Sequence, residues 1–438
     1  MDTEEPGKPR KSYRGWWIAA GVVVLAVTIV AFLWLNGQHR LQRKIEALHA
    51  KGFPITFEEI EAKRRLPDGT PNAADLYQQA FDAYQESSSQ GKPKLRKTTP
   101  DCNEPLSEGL TAEITQLLND NQQTLNLLKK AAKIKSCSFD LSYSTSQIPI
   151  PDLPSLNSLV KCDRLLYNKG LFLIERDDIQ GFLDIVEERF SLGAAINRQP
   201  FLIEFLIQAS FCNETIYQIE RVFDLCPIQA DLLDGLDNHL KQAPTASFLA
   251  EAYRNELPEL QVFLKDVSEM SMISYSTPLV WTKLVAIPNI SECINRLDEI
   301  VSLCESNPVD QFQYIKNLEQ ETENRSVLYS LTKMYLPSLI GAMETHIRCE
   351  TRIKSVRTAI AVERYRLDTG KLPERLEELV PKYMEKVPID PYDGKPLRYK
   401  RLEKGYTIYS IGEDGKDDGG KKKKSGEESF DYPFTVHR

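Results

Sequence analysis

Five histidines, His39, His49, His239, His346 and His437, are all that the chain offers for imidazole chemistry. None belongs to an H-E-x-x-H pair that could hold zinc on one helix face, and no G-x-S-x-G elbow presents a serine nucleophile. His346, Cys349 and Glu350 could share a helix face as metal ligands, but a single histidine on a long helix reads better as a structural or solvated group. Gly415 and Gly420-Lys421 imitate part of a phosphate loop, yet Lys422 stands where the metal needs Ser or Thr. Asp414, Asp418 and Gly419 match fragments of an EF-hand, with Lys416 and Ser425 where oxygen ligands are required. Glu58, Glu59 and Glu61 read as charged surface, because paired acids catalyse only at a defined separation.

The acidic loop from Gly412 to Gly420 remains. Asp414, Asp417 and Asp418 crowd three carboxylates into five residues, and a divalent cation with oxygen ligands at ~2.3–2.6 Å would relieve their repulsion while the glycines let the backbone present carbonyls. Calcium is therefore the expected cofactor, with these three aspartates as its side-chain ligands. The competing reading is a solvated loop, its charge neutralised by Lys416 and by Lys421 to Lys424. Eight cysteines are spread along the chain without a C-x-x-C pair, which argues against a zinc ribbon or a thioredoxin-like redox centre. They read as buried small apolar residues, and their spacing selects no disulfide pairing.

The elements that would carry such a loop begin with an anchor. Trp16 to Leu35 is uninterruptedly apolar or small, matching the ~20 residues a helix needs to cross a bilayer, with Trp16, Trp17 and Trp34 at its ends where aromatic rings favour the headgroups. The run is too long for a signal-peptide core, so retention is expected. Lys8, Arg10, Lys11 and Arg14 before the span are balanced by Arg40, Arg43, Lys44 and Lys51 after it, and local charge does not set orientation. A long domain following one span is expected to be translocated, leaving the N-terminus in the cytoplasm.

Beyond the span, Gln38 to Ala50 continues as helix until Gly52-Phe53-Pro54 stops it. Asn72 is an N-cap for a helix burying Ala73, Leu76, Tyr77, Ala80, Phe81 and Tyr84. Ser87 to Pro105 reads as a loop. Three- and four-residue apolar spacing then recurs to about Asn307, in Ile114-Leu117-Leu118-Leu125-Leu128, Phe182-Ile185-Val186-Phe190 and Phe201-Phe205-Ile216-Ile219-Phe223, which predicts packed helices. No fixed ~34-residue period supports a tetratricopeptide solenoid. A last long helix is predicted from about Pro337 to Leu367. After Gly370, alternation in Leu397 to Lys400 and in Tyr406 to Ile411 predicts two antiparallel strands turning near Glu403-Lys404-Gly405.

That C-terminal stretch resembles the C-terminal domain of the type II secretion system major pseudopilin. The likeness is carried, in order, by Ala361-Val362-Glu363-Arg364-Tyr365-Arg366-Leu367-Asp368-Thr369-Gly370-Lys371-Leu372-Pro373, by Val387-Pro388-Ile389-Asp390-Pro391-Tyr392-Asp393-Gly394-Lys395-Pro396-Leu397, and by Tyr409-Ser410-Ile411-Gly412-Glu413-Asp414-Gly415-Lys416-Asp417-Asp418-Gly419-Gly420. It covers only the last part of the chain and implies a long helix packed on a small antiparallel sheet, with an acidic loop that binds calcium in the family. Family members also carry a Glu early in the membrane helix and a head directly after it. Here no acidic residue lies between Trp16 and Leu35 and a large domain intervenes, so assembly into a pseudopilus is not expected.

The chain thus reads as mainly α: a cytoplasmic tail over 1–15, a transmembrane helix over 16–35, an irregular α-helical extracytoplasmic domain over 36–336, and a pseudopilin-like α+β domain over 337–438. With 438 residues, 41% hydrophobic composition and a net charge of -8, it can bury a sizeable core and lacks the basic face that a nucleic-acid partner would need. The expected function is a single-pass envelope protein with a non-catalytic binding or scaffolding ectodomain, related to type II secretion or pilin-like assemblies. Its partners would be membrane lipid through the N-terminal helix and another protein. The rival class is an envelope hydrolase whose active site is assembled from dispersed residues; a deep pocket with convergent polar groups would favour it.

Overall fold

The computed structural model describes residues 14–86, 102–139, 156–195, 200–262, 279–421 and 431–438. The first helix, α1 (Arg14–Ala50), has two halves of different character. Its apolar half is uncovered on every side, with Trp16 77%, Val22 62% and Phe32 64% exposed, whereas Leu41, Ile45 and Leu48 repeat at four- and three-residue spacing and are buried. They pack into a cluster with Ile290, Cys293, Ile294 and Leu297 of α11 (Leu279–Leu303), flanked by Lys44, whose Nζ donates to Ser291 Oγ at 2.6 Å and Asn295 Oδ1 at 2.9 Å. Among the described residues no helix is long and apolar enough to cross a membrane.

Side chains at the helix starts supply the acceptors that the first-turn backbone N–H groups lack. Thr56 accepts from Glu59 N ahead of α2 (Phe57–Arg64), and Asn72 Oδ1 accepts from Ala74 N at 3.1 Å at the start of α3 (Ala74–Ala83). Ser107 caps α4 (Glu108–Asp120), which is followed by α5 (Gln122–Ala132) and α6 (Leu156–Ile174). Asp178 caps α7 (Ile179–Ala194), ahead of α8 (Leu202–Leu225) and α9 (Ala230–Leu240); Thr245 then caps α10 (Ala246–Arg254). Asn307 caps α12 (Pro308–Asn324), with Pro308 in the first turn where no N–H is needed. The predicted loop over 87–105 falls mostly outside the described residues.

The last helix, α13 (Ser330–Thr369), begins seven residues before the predicted start at Pro337 and carries that proline inside it. Pro337 gives up one backbone hydrogen bond, but the buried Leu336, Leu339 and Ile340 on either side hold the helix together. Its first half belongs to the same cluster as α1 and α11, and its second half, from Cys349 to Val362, packs with α7, α8 and α9. Gly370 ends it in the left-handed conformation, φ 72°.

Behind α13 stands one antiparallel sheet in the order β1 (Arg398–Arg401), β2 (Tyr406–Ser410), β3 (Tyr432–Val436). Tyr399 lies opposite Ile408, and Ile408 opposite Phe434. The first two strands match the expected hairpin; the third was not anticipated. Gly405 at its turn adopts φ 80°, and a Cβ there would lie 1.8 Å from Val436 O, so the position admits only glycine. Phe434 meets Phe223 of α8 edge-on at 5.6 Å, and Tyr406 donates its hydroxyl to Glu363 Oε1 of α13 at 3.0 Å.

Candidate functional site

The acidic loop leaves β2 and returns to β3, and its glycines do the turning: Gly412, Gly415, Gly419 and Gly420 all have positive φ. Asp414 closes its own turn, accepting from Lys416 N at 3.1 Å, and Asp417 does the same with Gly419 N at 2.9 Å. Asp418 lies against a residue that sequence reasoning did not include, Asp431. This aspartate is only 4% exposed, and its Oδ2 accepts from Gly420 N at 2.8 Å. Asp431 Oδ1 and Asp418 Oδ2 are both buried without a hydrogen-bond partner. Burial first, and then the charges of Asp418 and Asp417, push the Asp431 carboxyl up.

Of the three predicted ligands, then, Asp418 lies against Asp431, while Asp414 and Asp417 each close their own turn. Among the described residues no three His, Cys, Asp or Glu side chains meet as a group able to hold a metal by themselves. The two buried, unsatisfied carboxylate oxygens are nevertheless the donor type that a hard cation takes, with backbone carbonyls making up the remainder. Asp431 could have been suspected only from its place immediately before a strand, since the lysine-rich stretch separates it from the other acids.

A second concavity, a cleft of about 410 Å³ open to solvent, lies where α6, α8 and α13 meet, lined by Tyr167, Ser210, Asn213, Glu214, Tyr217 and Arg352. Under it Arg189 is fully buried, donating to Asp163 at 2.8 and 3.0 Å, to Glu214 Oε2 at 3.1 Å and to Thr215 Oγ1 at 3.0 Å. The Tyr167 ring lies 5.4 Å from that guanidinium, and its buried hydroxyl has no partner. The cleft mixes donors and acceptors suited to holding a polar ligand, but its one carboxylate, Glu214, is already held by Arg189.

Two other buried acids serve the start of α8. Glu204 pairs with Arg64 at 2.9 and 3.0 Å and accepts from Phe201 N at 2.9 Å, and Glu256 accepts from Leu202 N at 3.1 Å. Their backbone partners give both a structural role. The trio His346, Cys349 and Glu350 does not assemble: His346 Nε2 is 3.7 Å from Glu350, burial holds its pKa below the usual imidazole value, and Cys349 is buried in the apolar cluster that includes Cys212 and Ile216 of α8. The cysteines are free thiols, all buried except the half-buried Cys137. No family model matches the chain, and neither does any curated protein or solved structure.

Proposed function

We propose that the chain is a single-pass membrane protein of the cell envelope, with its N-terminus in the cytoplasm and a helical body that serves binding or scaffolding on the other side. The observation that carries this reading is the first half of α1. A helix that is apolar on all faces has no side to turn to water, and Trp16 to Leu35 leaves every such face uncovered while the second half of the same helix packs normally. At 1.5 Å per residue the run spans about 30 Å, the thickness of the hydrocarbon core. Alkaline carbonate washing of membranes is expected to leave the full chain in the pellet. Recovery in the supernatant would overturn the anchor and with it this function.

The C-terminal unit is proposed as a pseudopilin-like head whose acidic loop takes calcium. The order of parts supports this: a long helix ended by Gly370, an antiparallel sheet, and an acidic loop between its second and third strands. Asp417, Asp418 and Asp431 would supply the carboxylates. Calcium at a hundred times its dissociation constant should stabilise the folded full chain by roughly 2.7 kcal/mol over a chelated sample. Calorimetry in calcium and in EGTA tests this; identical melts, or a shift that survives Asp418→Ala with Asp431→Ala, would remove the site.

A further inference from the structure

Helices α1 and α11 run side by side in the same direction. Gly37 of α1 meets Ile287 of α11 so closely that a Cβ at the glycine would lie 3.2 Å from Ile287 Cγ2. Farther along, Lys44 reaches Ser291 and Asn295, and Lys51 Nζ donates to both oxygens of Asp298 at 2.6 and 2.8 Å. The residue numbers rise together on the two helices, so the start of α11 points towards the apolar half of α1. The covered stripe of α1 follows it. Leu48, Ile45 and Leu41 are buried, Gly37 and Trp34 are half-buried, and Leu33 and Leu35 on either side of Trp34 are 55% and 50% exposed. That stripe reaches the last turn of the apolar run from Trp16 to Leu35.

At 1.5 Å per residue, the start of α11 at Leu279 lies about 12 Å before Ile287, which brings its first two turns level with residues 29–35 of α1. Both helices change character along the same stretch. α1 is uncharged through Leu35 and then carries Arg40, Arg43 and Lys44; α11 has Lys283 as its sole charge up to Ser291 and then carries Glu292, Arg296, Asp298 and Glu299. One lysine near a membrane boundary is tolerated, because its amine can snorkel to the headgroups. The turn between α12 and α13 stands at this same end of the body: Leu328 O accepts from Asn289 Nδ2 at 2.8 Å, and the Leu328 side chain is 53% exposed.

We propose that the first two turns of α11, residues 279–285, enter the outer part of the bilayer beside α1, with Leu328 at its surface. The partner is the phospholipid membrane that holds α1, so the inference rests on the anchor reading. The apolar stretch of α11 from Leu279 to Ile290 is about 18 Å long, too short for a ~30 Å hydrocarbon core, and α11 therefore enters the membrane without crossing it. A helix can do this because its backbone groups are already paired within the segment, and the interface supplies water to those of the first turn. Two lipid contacts fix the orientation of the helical body against the membrane, which one helix alone leaves free to swivel.

The chain has four tryptophans, Trp16, Trp17, Trp34 and Trp281, and replacing the first three with phenylalanine leaves one reporter in this segment. The full-length variant is reconstituted in phosphatidylcholine vesicles with and without bromine on the acyl chains, and flotation of the vesicles reads the anchor separately. The expected result is a protein that floats and that loses most of its Trp281 fluorescence to bromine. Adding Trp281→Phe and Ser302→Trp moves the indole to the far end of α11, where fluorescence should be kept. Photoactivatable phosphatidylcholine needs no substitution and should label residues 279–286 of the parent as well as 16–35. A chain that floats with Trp281 unquenched, or whose parent is labelled at 16–35 but not at 279–286, would overturn this inference and leave the anchor standing. A parent chain that does not float would overturn both. Equal quenching at positions 281 and 302 would mean that the body lies flat on the lipid, and that also overturns it.

Discussion

Replacing Arg189 with methionine is expected to destabilise the helical body by about 3–5 kcal/mol, the usual consequence of leaving a buried charge without its partner. Arg189 on α7 joins Asp163 of α6 to Glu214 and Thr215 of α8, so one guanidinium fixes three helices relative to one another. Without it Asp163, whose carboxyl burial already raises to about 6, must protonate or drag water into the core. Asp163→Leu alone leaves the buried arginine paired with Glu214 and is expected to cost a smaller amount. The double variant, apolar at both positions, should recover most of the loss, because a buried pair is worth little over a well-packed apolar replacement. Urea unfolding of the four proteins reads this as a double-mutant cycle. An Arg189→Met protein within ~1 kcal/mol of the parent would show that the network contributes little.

That network marks where sequence reading stops. Phe182, Ile185, Val186 and Phe190 announce α7 through their spacing, and a charged residue at 189 among them looks like the solvent side of the helix. Only the arrival of Asp163 and Glu214 from two other helices makes it interior. The same limit applies to Asp431, whose surroundings depend on contacts between distant segments. Local signals were read more successfully: Asn72 Oδ1 accepts from Ala74 N at the start of α3, one residue before the N-cap Ala73, apolar spacing marks the helices, and alternation around Glu403-Lys404-Gly405 marks the hairpin. One misreading falls at a proline. Pro337 looked like a start because proline disfavours a helix interior, but packing by Leu336 and Leu339 overrides that local cost.

Stability is expected to fall as pH rises from about 6.5 to 8, and Glu256 is the main cause. Its carboxyl is buried beside Leu202 N and the Tyr335 hydroxyl, and burial, followed by repulsion from Glu259, pushes it up from 4.5 to about 8. Glu188, buried with one carboxylate oxygen unpartnered, is pushed up to about 7, again chiefly by burial. Between the unfolded and folded values the folded chain holds protons that the unfolded chain has released, so this contribution is fully present below about pH 4.5 and is lost as pH climbs through 7 and 8. His239 and His346 act in the opposite sense: burial lowers both, so they favour folding above about pH 6.5 and oppose it below. The fall should therefore be clearest on the alkaline side of 6.5, where unfolded imidazoles are already neutral. For Glu256 alone the change between pH 6 and 8 is on the order of 2 kcal/mol. Glu256→Gln copies the protonated acid, keeping an acceptor for Leu202 N. It should match the parent near pH 6, exceed its stability at pH 8, and flatten the dependence between them. Urea midpoints across this range check it; a parent whose stability is constant or rises to pH 8, or a glutamine variant with the parent's slope, would show that Glu256 is ionised in the folded chain.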